Sequence, residues 1–156
     1  MNLCTIAFES PDRPEVIALI EELDAYQTPL YPAESHHGID IEALCSANVK
    51  FAVARDIEVG AVACGALVVH PAHAELKRMF TRPFFRGQGL AGSILTVLED
   101  EARRQGCLWV MLETGCLQHQ AISFYERSGY RRRGPFGDYQ YDPNSVFMEK
   151  CLSATS

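Results

Sequence analysis

The stretch of this 156-residue chain best suited to chemistry is Arg86-Gly87-Gln88-Gly89-Leu90-Ala91. It sits between a strand-like run and a strongly amphipathic one that opens at Leu90. At a helix start several backbone N–H groups lack partners and the helix dipole is positive, so an anion is favoured there. Glycines remove the Cβ atoms that would keep a pyrophosphate from the backbone. Arg86 adds a charge-assisted donor. Together these residues make a diphosphate cradle; the plainer alternative is a surface loop whose glycines serve only a turn.

Positioning such a cradle requires a strand before it and a helix after it, and the pattern supplies both. Residues 3–8 alternate as a strand, and Pro14 then suits the first turn of a helix carrying Val16, Ile17, Leu19, Ile20 and Leu23. Asp40 can cap a short second helix. Two strands follow over 49–69, where Gly60 and Gly65 point to a bulge or a close backbone approach. Ala74 to Thr81 reads as the strand that feeds the loop. Leu90 to Gln105 forms the helix after it, with Leu90, Ile94, Val97, Leu98 and Ala102 as its apolar stripe. On its other face, Glu99 with Arg103 and Asp100 with Arg104 are spaced for i,i+4 pairing. A strand at 108–112, a helix over about 120–128 and strands near 130–134 and 146–152 complete the chain. The order β-α-α-β-β-β-α-β-α-β-β specifies an α/β (α+β) fold with a mixed sheet, expected as a single domain over 1–156.

Two ligands fit a diphosphate cradle. Gly87-x-Gly89-x-x-Gly92 has dinucleotide-binding spacing, and Glu113 lies 21 residues past Gly92. However, five residues separate the strand from the first glycine, the strand carries Glu75, Lys77 and Arg78, and only 43 residues follow Glu113. The alternative is coenzyme A. Arg86-Gly87-Gln88-Gly89-Leu90-Ala91 matches the Gln/Arg-x-x-Gly-x-Gly/Ala loop of the GNAT acyltransferase superfamily. Residues 75–83 resemble that family's fourth strand and its exit, and 108–113 its fifth. Ala121 to Tyr130 resembles its Ala-x-x-x-Tyr-x-x-x-Gly-Phe/Tyr helix. The resemblance runs over essentially the whole chain and is strongest over 74–134.

This resemblance implies a six- to seven-stranded, mostly antiparallel sheet whose fourth and fifth strands splay apart. It implies acetyl-coenzyme A as donor, with the pantetheine arm held near Met79, Phe80 and Thr81. The diphosphate would be held by Arg86, Gly87, Gln88, Gly89, Leu90 and Ala91. Tyr125 matches the tyrosine that faces the cofactor sulfur and protonates the departing thiolate. Glu75 corresponds to a glutamate that serves as base in several relatives, and Glu113 is a second candidate. Where many members carry Asn, this chain has Gln118, whose amide sits on a longer stem. The walls of the acceptor pocket fall on residues 26–35 and 135–143. There Tyr26, Tyr31, Glu34 and Tyr139 combine aromatic faces with a carboxylate, a composition that holds a cationic amine.

Composition sets the remaining bounds. Net charge is −6, too acidic for a general nucleic-acid binder. Residues 1–58 hold eleven acids and three bases, whereas residues 77–133 hold ten of the fourteen Lys and Arg. That asymmetry places an anionic ligand in the middle of the chain. Arg131-Arg132-Arg133 fits pairing with nearby acids or contact with a cofactor phosphate. Six scattered cysteines without a Cys-x-x-Cys pair read as reduced thiols, and the five histidines, including adjacent His36-His37, show no metal-ligand spacing. No metal and no membrane partner are expected, and the address expected is cytoplasmic. A homodimer is compatible with the family. The functional expectation is N-acetyl transfer to a primary amine (small amine, amino acid, polyamine or peptide lysine) by direct attack. The alternative is a non-catalytic acyl-coenzyme A sensor.

Overall fold

A computed structural model of the chain describes residues 4–35 and 40–152. The first half contains β1 (Cys4–Phe8), α1 (Pro14–Gln27), α2 (Ile41–Leu44), β2 (Val49–Asp56), β3 (Gly60–Val69) and β4 (His73–Thr81). The second half contains α3 (Leu90–Arg104), β5 (Trp109–Gly115), α4 (His119–Arg127), β6 (Arg131–Arg133) and β7 (Ser145–Cys151). The strands form one seven-stranded sheet in the order β1-β2-β3-β4-β5-β7-β6. Every neighbouring pair is antiparallel except β4 and β5. The expected element order and mixed sheet are therefore what forms.

Each face of the sheet buries its own core. On one face Leu90, Ile94, Leu95, Leu98 and Ala102 of α3, with Tyr125 of α4, close over Val62, Leu67, Leu76, Val110 and Met148. Leu95 is buried there, whereas Val97, expected in the stripe, packs only at its margin. On the other face Val16, Leu19, Ile20 and Leu23 of α1 and Leu44 of α2 cover Phe51, Val53, Cys64, Ala66 and Phe80. Pro14 opens α1, and the Asp40 side chain caps α2 by accepting from the Ala43 N–H at 2.8 Å. Three of the four acids of α1 stay exposed yet are ion-paired. Glu22 pairs with Arg82 at 2.6 Å, Asp24 with Arg78, and Glu15 with Arg55 at 2.6 Å.

Two departures from regular geometry shape the middle of the sheet. In the β3–β4 ladder Cys64 faces Phe80 but Ala66 faces Lys77, so β4 carries one extra residue. Arg78 absorbs it with φ +58, the left-handed region that a non-glycine residue rarely enters. Gly65 lies opposite this bulge, and a Cβ there would stand 2.3 Å from Met79 Sδ. Of the two readings of this glycine, the bulge forms on the strand opposite, and what crowds Gly65 is the side chains of Met79, Ile94 and Leu98, not another backbone. The second departure is between β4 and β5, whose parallel ladder holds only four pairs, from His73–Trp109 to Leu76–Leu112. Beyond them the strands part.

Candidate active site

The gap between β4 and β5 opens onto two connected hollows. The first, a cleft of about 650 Å³, runs from the glycine loop to α4. Gly87 and Gly89 take φ +78 and +81, and a Cβ at Gly87, Gly89 or Gly92 would meet no atom within 4 Å. The glycines therefore serve backbone shape and access rather than packing. A Cβ would occupy the space in front of the helix N-terminus where an anion can approach. Arg86 is braced there by its Nε donating to the Thr81 carbonyl at 2.9 Å, and its guanidinium lies over the Tyr26 and Phe80 rings. Charge, loop and cavity size all fit the diphosphate of coenzyme A.

Met79, Phe80, Thr81, Arg86, Gly87, Gly89, Leu90, Ala91, Gln118 and Tyr125 all line this cleft; of the expected cofactor residues, Gln88 alone is absent from its walls. Arg127, in the last turn of α4, lines it too and was not singled out from sequence. A basic residue two positions past Tyr125 was the available signal. Most other bases of the central segment are matched to acids. Arg131 and Arg133 bind Glu149 at 3.2 and 2.7 Å, and Arg132 lies 3.8 Å from Glu126. Arg86 and Arg127 are the Lys and Arg residues lining the cleft.

The second hollow, a cavity of about 440 Å³, lies on the other side of the same gap. Glu75, Glu113, Tyr31 and Tyr139 line it, and Met79, Gln118, Ala121, Leu23 and Tyr125 belong to both hollows. Tyr125 thus stands where they meet. Its burial pushes the phenol well above its ordinary value, so it holds its proton at neutral pH. Gln118 accepts the Gly115 N–H at 3.0 Å through Oε1, which commits its oxygen to the end of β5, and its side chain lines both hollows.

Of the remaining expected acceptor residues, Tyr26 sits in the cofactor cleft, and Glu34 lines a third cavity of about 880 Å³ beyond Tyr139. Tyr31 is tied across the end of β5: its hydroxyl accepts the Leu117 N–H at 3.1 Å and lies against Gly115. His36 and His37 lie outside the described residues.

Glu75 is buried, and its partners are Tyr139 and Lys77. The Tyr139 hydroxyl donates to Glu75 Oε2 at 2.6 Å while accepting from Lys77 Nζ at 2.7 Å, and Lys77 Nζ is 3.3 Å from the carboxylate itself. Burial and the adjacent carboxylate push the Tyr139 phenol far up, fixing it as a donor. Glu113 accepts from the Ser145 hydroxyl at 2.7 Å. Lys77 was missed as a site residue, although its i,i+2 spacing from Glu75 on one strand face was legible.

Comparisons with known proteins agree with this geometry. The model of the Acetyltransferase (GNAT) family matches residues 17–130. A protein of Azospirillum brasilense named IAA acetyltransferase is 45% identical over 150 residues, covering 95% of this chain and 97% of its own. The uncharacterized N-acetyltransferase YsnE of Bacillus subtilis is 35% identical, covering 88% and 93%. A solved structure from Klebsiella pneumoniae, provisionally named an acyl-CoA N-acyltransferase, superposes with a TM-score of 0.82. It is 40% identical over 96% of this chain and 98% of its own. The chain belongs to the GNAT family and is an acetyl-coenzyme A-dependent acyltransferase.

Proposed function

We propose that this enzyme transfers an acetyl group to a primary amine held in the cavity beside Glu75, by direct attack on the thioester. The observation carrying this reading is the meeting of cleft and cavity at Tyr125, with two carboxylates, Glu75 and Glu113, lining the acceptor side. Lys77 and Arg78 are matched by Glu75 and Asp24, and Asp40 and Glu113 add to the acid surplus, so the cavity favours a cation. Tyr31 and Tyr139 supply aromatic faces for it.

In this reading the cleft residues orient the donor, with the Gly87–Gly92 backbone and Arg86 on the diphosphate and the parted edge of Met79–Thr81 along the arm. Glu75 takes the proton from the ammonium, and the free amine attacks the thioester carbonyl. The tetrahedral intermediate collapses as Tyr125 gives its proton to the departing thiolate, and the second proton lost by the attacking nitrogen restores the Tyr125 phenol. Residues 1–156 act as one such domain, since β1, β6 and β7, which extend the sheet beyond the matched family core, pair into the same sheet.

The test is acetyl transfer to a panel of amines, polyamines, amino acids and lysine peptides, with IAA included because of the Azospirillum relative's name, read by mass spectrometry. An enzyme-dependent acetylated amine is expected. Glu75→Gln should lower turnover mainly at low pH, where the amine is protonated, and Tyr125→Phe should slow chemistry at unchanged acetyl-coenzyme A affinity. Acetylation of a non-amine acceptor alone would overturn the amine reading.

A further inference from the structure

The cavity of about 880 Å³ on the far side of Tyr139 shares Glu75, Lys77 and Tyr139 with the acceptor cavity, but His70 and His73 line only the farther one. The Glu75 carboxylate is therefore part of a partition. Its side chain is only 8% exposed, so a proton taken from an amine must be passed on before the next turnover. Its two oxygens have different neighbours. Oε2 is engaged by Tyr139 at 2.6 Å and Lys77 at 3.3 Å, and Oε1 lies 3.8 Å from His70 Nε2.

Neither neighbour of Oε2 can carry the proton away. An ammonium such as Lys77 donates only, and Tyr139 already holds a phenolic proton that burial and Glu75 bind tightly. His70 can both accept and release one. Its side chain is 39% exposed, so it reaches from the buried carboxylate to solvent. His73 stacks on it with ring centroids 4.8 Å apart and planes 28° apart, and is itself wedged edge-on against Phe136 at 5.9 Å. Burial, and next the neighbouring His70, lower the proton affinity of His73. His73 thus stacks on His70 without competing for its proton.

We propose that His70 is the proton exit of this enzyme, carrying the acceptor's proton from Glu75 through the farther cavity to solvent. The inference rests on Glu75 acting as base. An ammonium N–H bond breaks as an O–H bond forms on Glu75. That proton then passes from Oε1 to His70 Nε2, and the ring, swung toward the farther cavity, releases the same Nε2 proton to water and returns to its starting tautomer. The carboxylate is regenerated and no electrons change hands. A side-chain rotation that brings Nε2 to the roughly 2.8 Å of a charge-assisted hydrogen bond, or one bridging water, completes the path.

The experiment measures steady-state acetyl transfer by the full chain with His70→Ala, His70→Gln, Glu75→Gln and the His70→Ala/Glu75→Gln pair. Both His70 variants should lose on the order of ten-fold in kcat, less than the roughly 10²–10⁴-fold of a group that exchanges a proton with the substrate itself. KM for acetyl-coenzyme A should stay unchanged. Added imidazole should restore His70→Ala in a saturable manner, and His70→Ala should cost nothing further in the Glu75→Gln background. Wild-type kcat in both His70 variants, or a loss that imidazole leaves untouched, overturns the exit. Full activity of Glu75→Gln at every pH instead removes the base, and the exit with it.

Discussion

Tyr139 holds Glu75 by a 2.6 Å hydrogen bond that joins the segment before β7 to the middle of β4. A hydrogen bond to a buried carboxylate contributes about 1.5–3 kcal/mol. Tyr139→Phe keeps the ring packed against Phe136 and Phe147 and removes only that donor. The variant should lose on the order of ten-fold in kcat at unchanged KM for acetyl-coenzyme A, because Tyr139 does not line the cofactor cleft. An unchanged kcat in steady-state assays would detach this bond from catalysis.

The tyrosines also give the fold an alkaline limit. Burial raises Tyr31, Tyr125, Tyr130 and Tyr139, with a carboxylate as the next cause at Tyr130 and Tyr139. Each raised phenol contributes stability that is fully present below the unfolded value near ~10 and is lost as pH climbs toward the folded value. Ultraviolet titration should therefore show phenolate formation in the native protein lagging behind the urea-unfolded chain. Superimposable curves would contradict the burial.

Arg86 and Arg127 should act on the donor and not on the chemical step. Arg86→Ala removes a guanidinium braced on Thr81, and Arg127→Ala one at the end of α4. Each change should raise the acetyl-coenzyme A dissociation constant, Arg86→Ala by about ten-fold or more, with kcat at saturating donor little altered. Calorimetric titration separates this outcome from a change confined to kcat.

At Gly115 the constraint is steric. A Cβ would stand 1.8 Å from the Tyr31 hydroxyl, so Gly115→Ala must push Tyr31 off the end of β5. A cost of about 1–3 kcal/mol is expected, the usual range for overpacking. Chemical denaturation should show that cost, and Gly115→Ala/Tyr31→Ala should recover part of it. No recovery would place the strain elsewhere.

The sequence was most informative where periodicity and turn chemistry coincide. The Arg86–Ala91 loop, the helix after it and the order of elements along the chain were legible because glycine, proline and apolar spacing are local signals. Long-range pairing was not. The i,i+4 pairs expected on α3 do not form: Arg103 binds Asp100 at 3.0 Å, and Arg104 binds Glu101, both three residues away. Glu99 turns inward, where it accepts from the Tyr130 hydroxyl at 2.8 Å and Lys150 at 3.1 Å. Counting along one helix cannot reveal a lysine 51 residues downstream. Lys77 and Arg127 escaped notice for the same reason, since their importance depends on which strands part.

The extra residue at Arg78 inverts the parity of β4. Ahead of it the even positions, Ala74 and Leu76, pack toward α3. After it the odd position Met79 does so, and Phe80 turns to the α1 side. Excising one residue at this point would restore plain alternation and exchange the two, carrying Phe80 away from the Arg86 guanidinium that lies over its ring. A graft of this strand onto another sheet must transplant the odd residue together with the glycine across from it, or the donor-binding end arrives inside out.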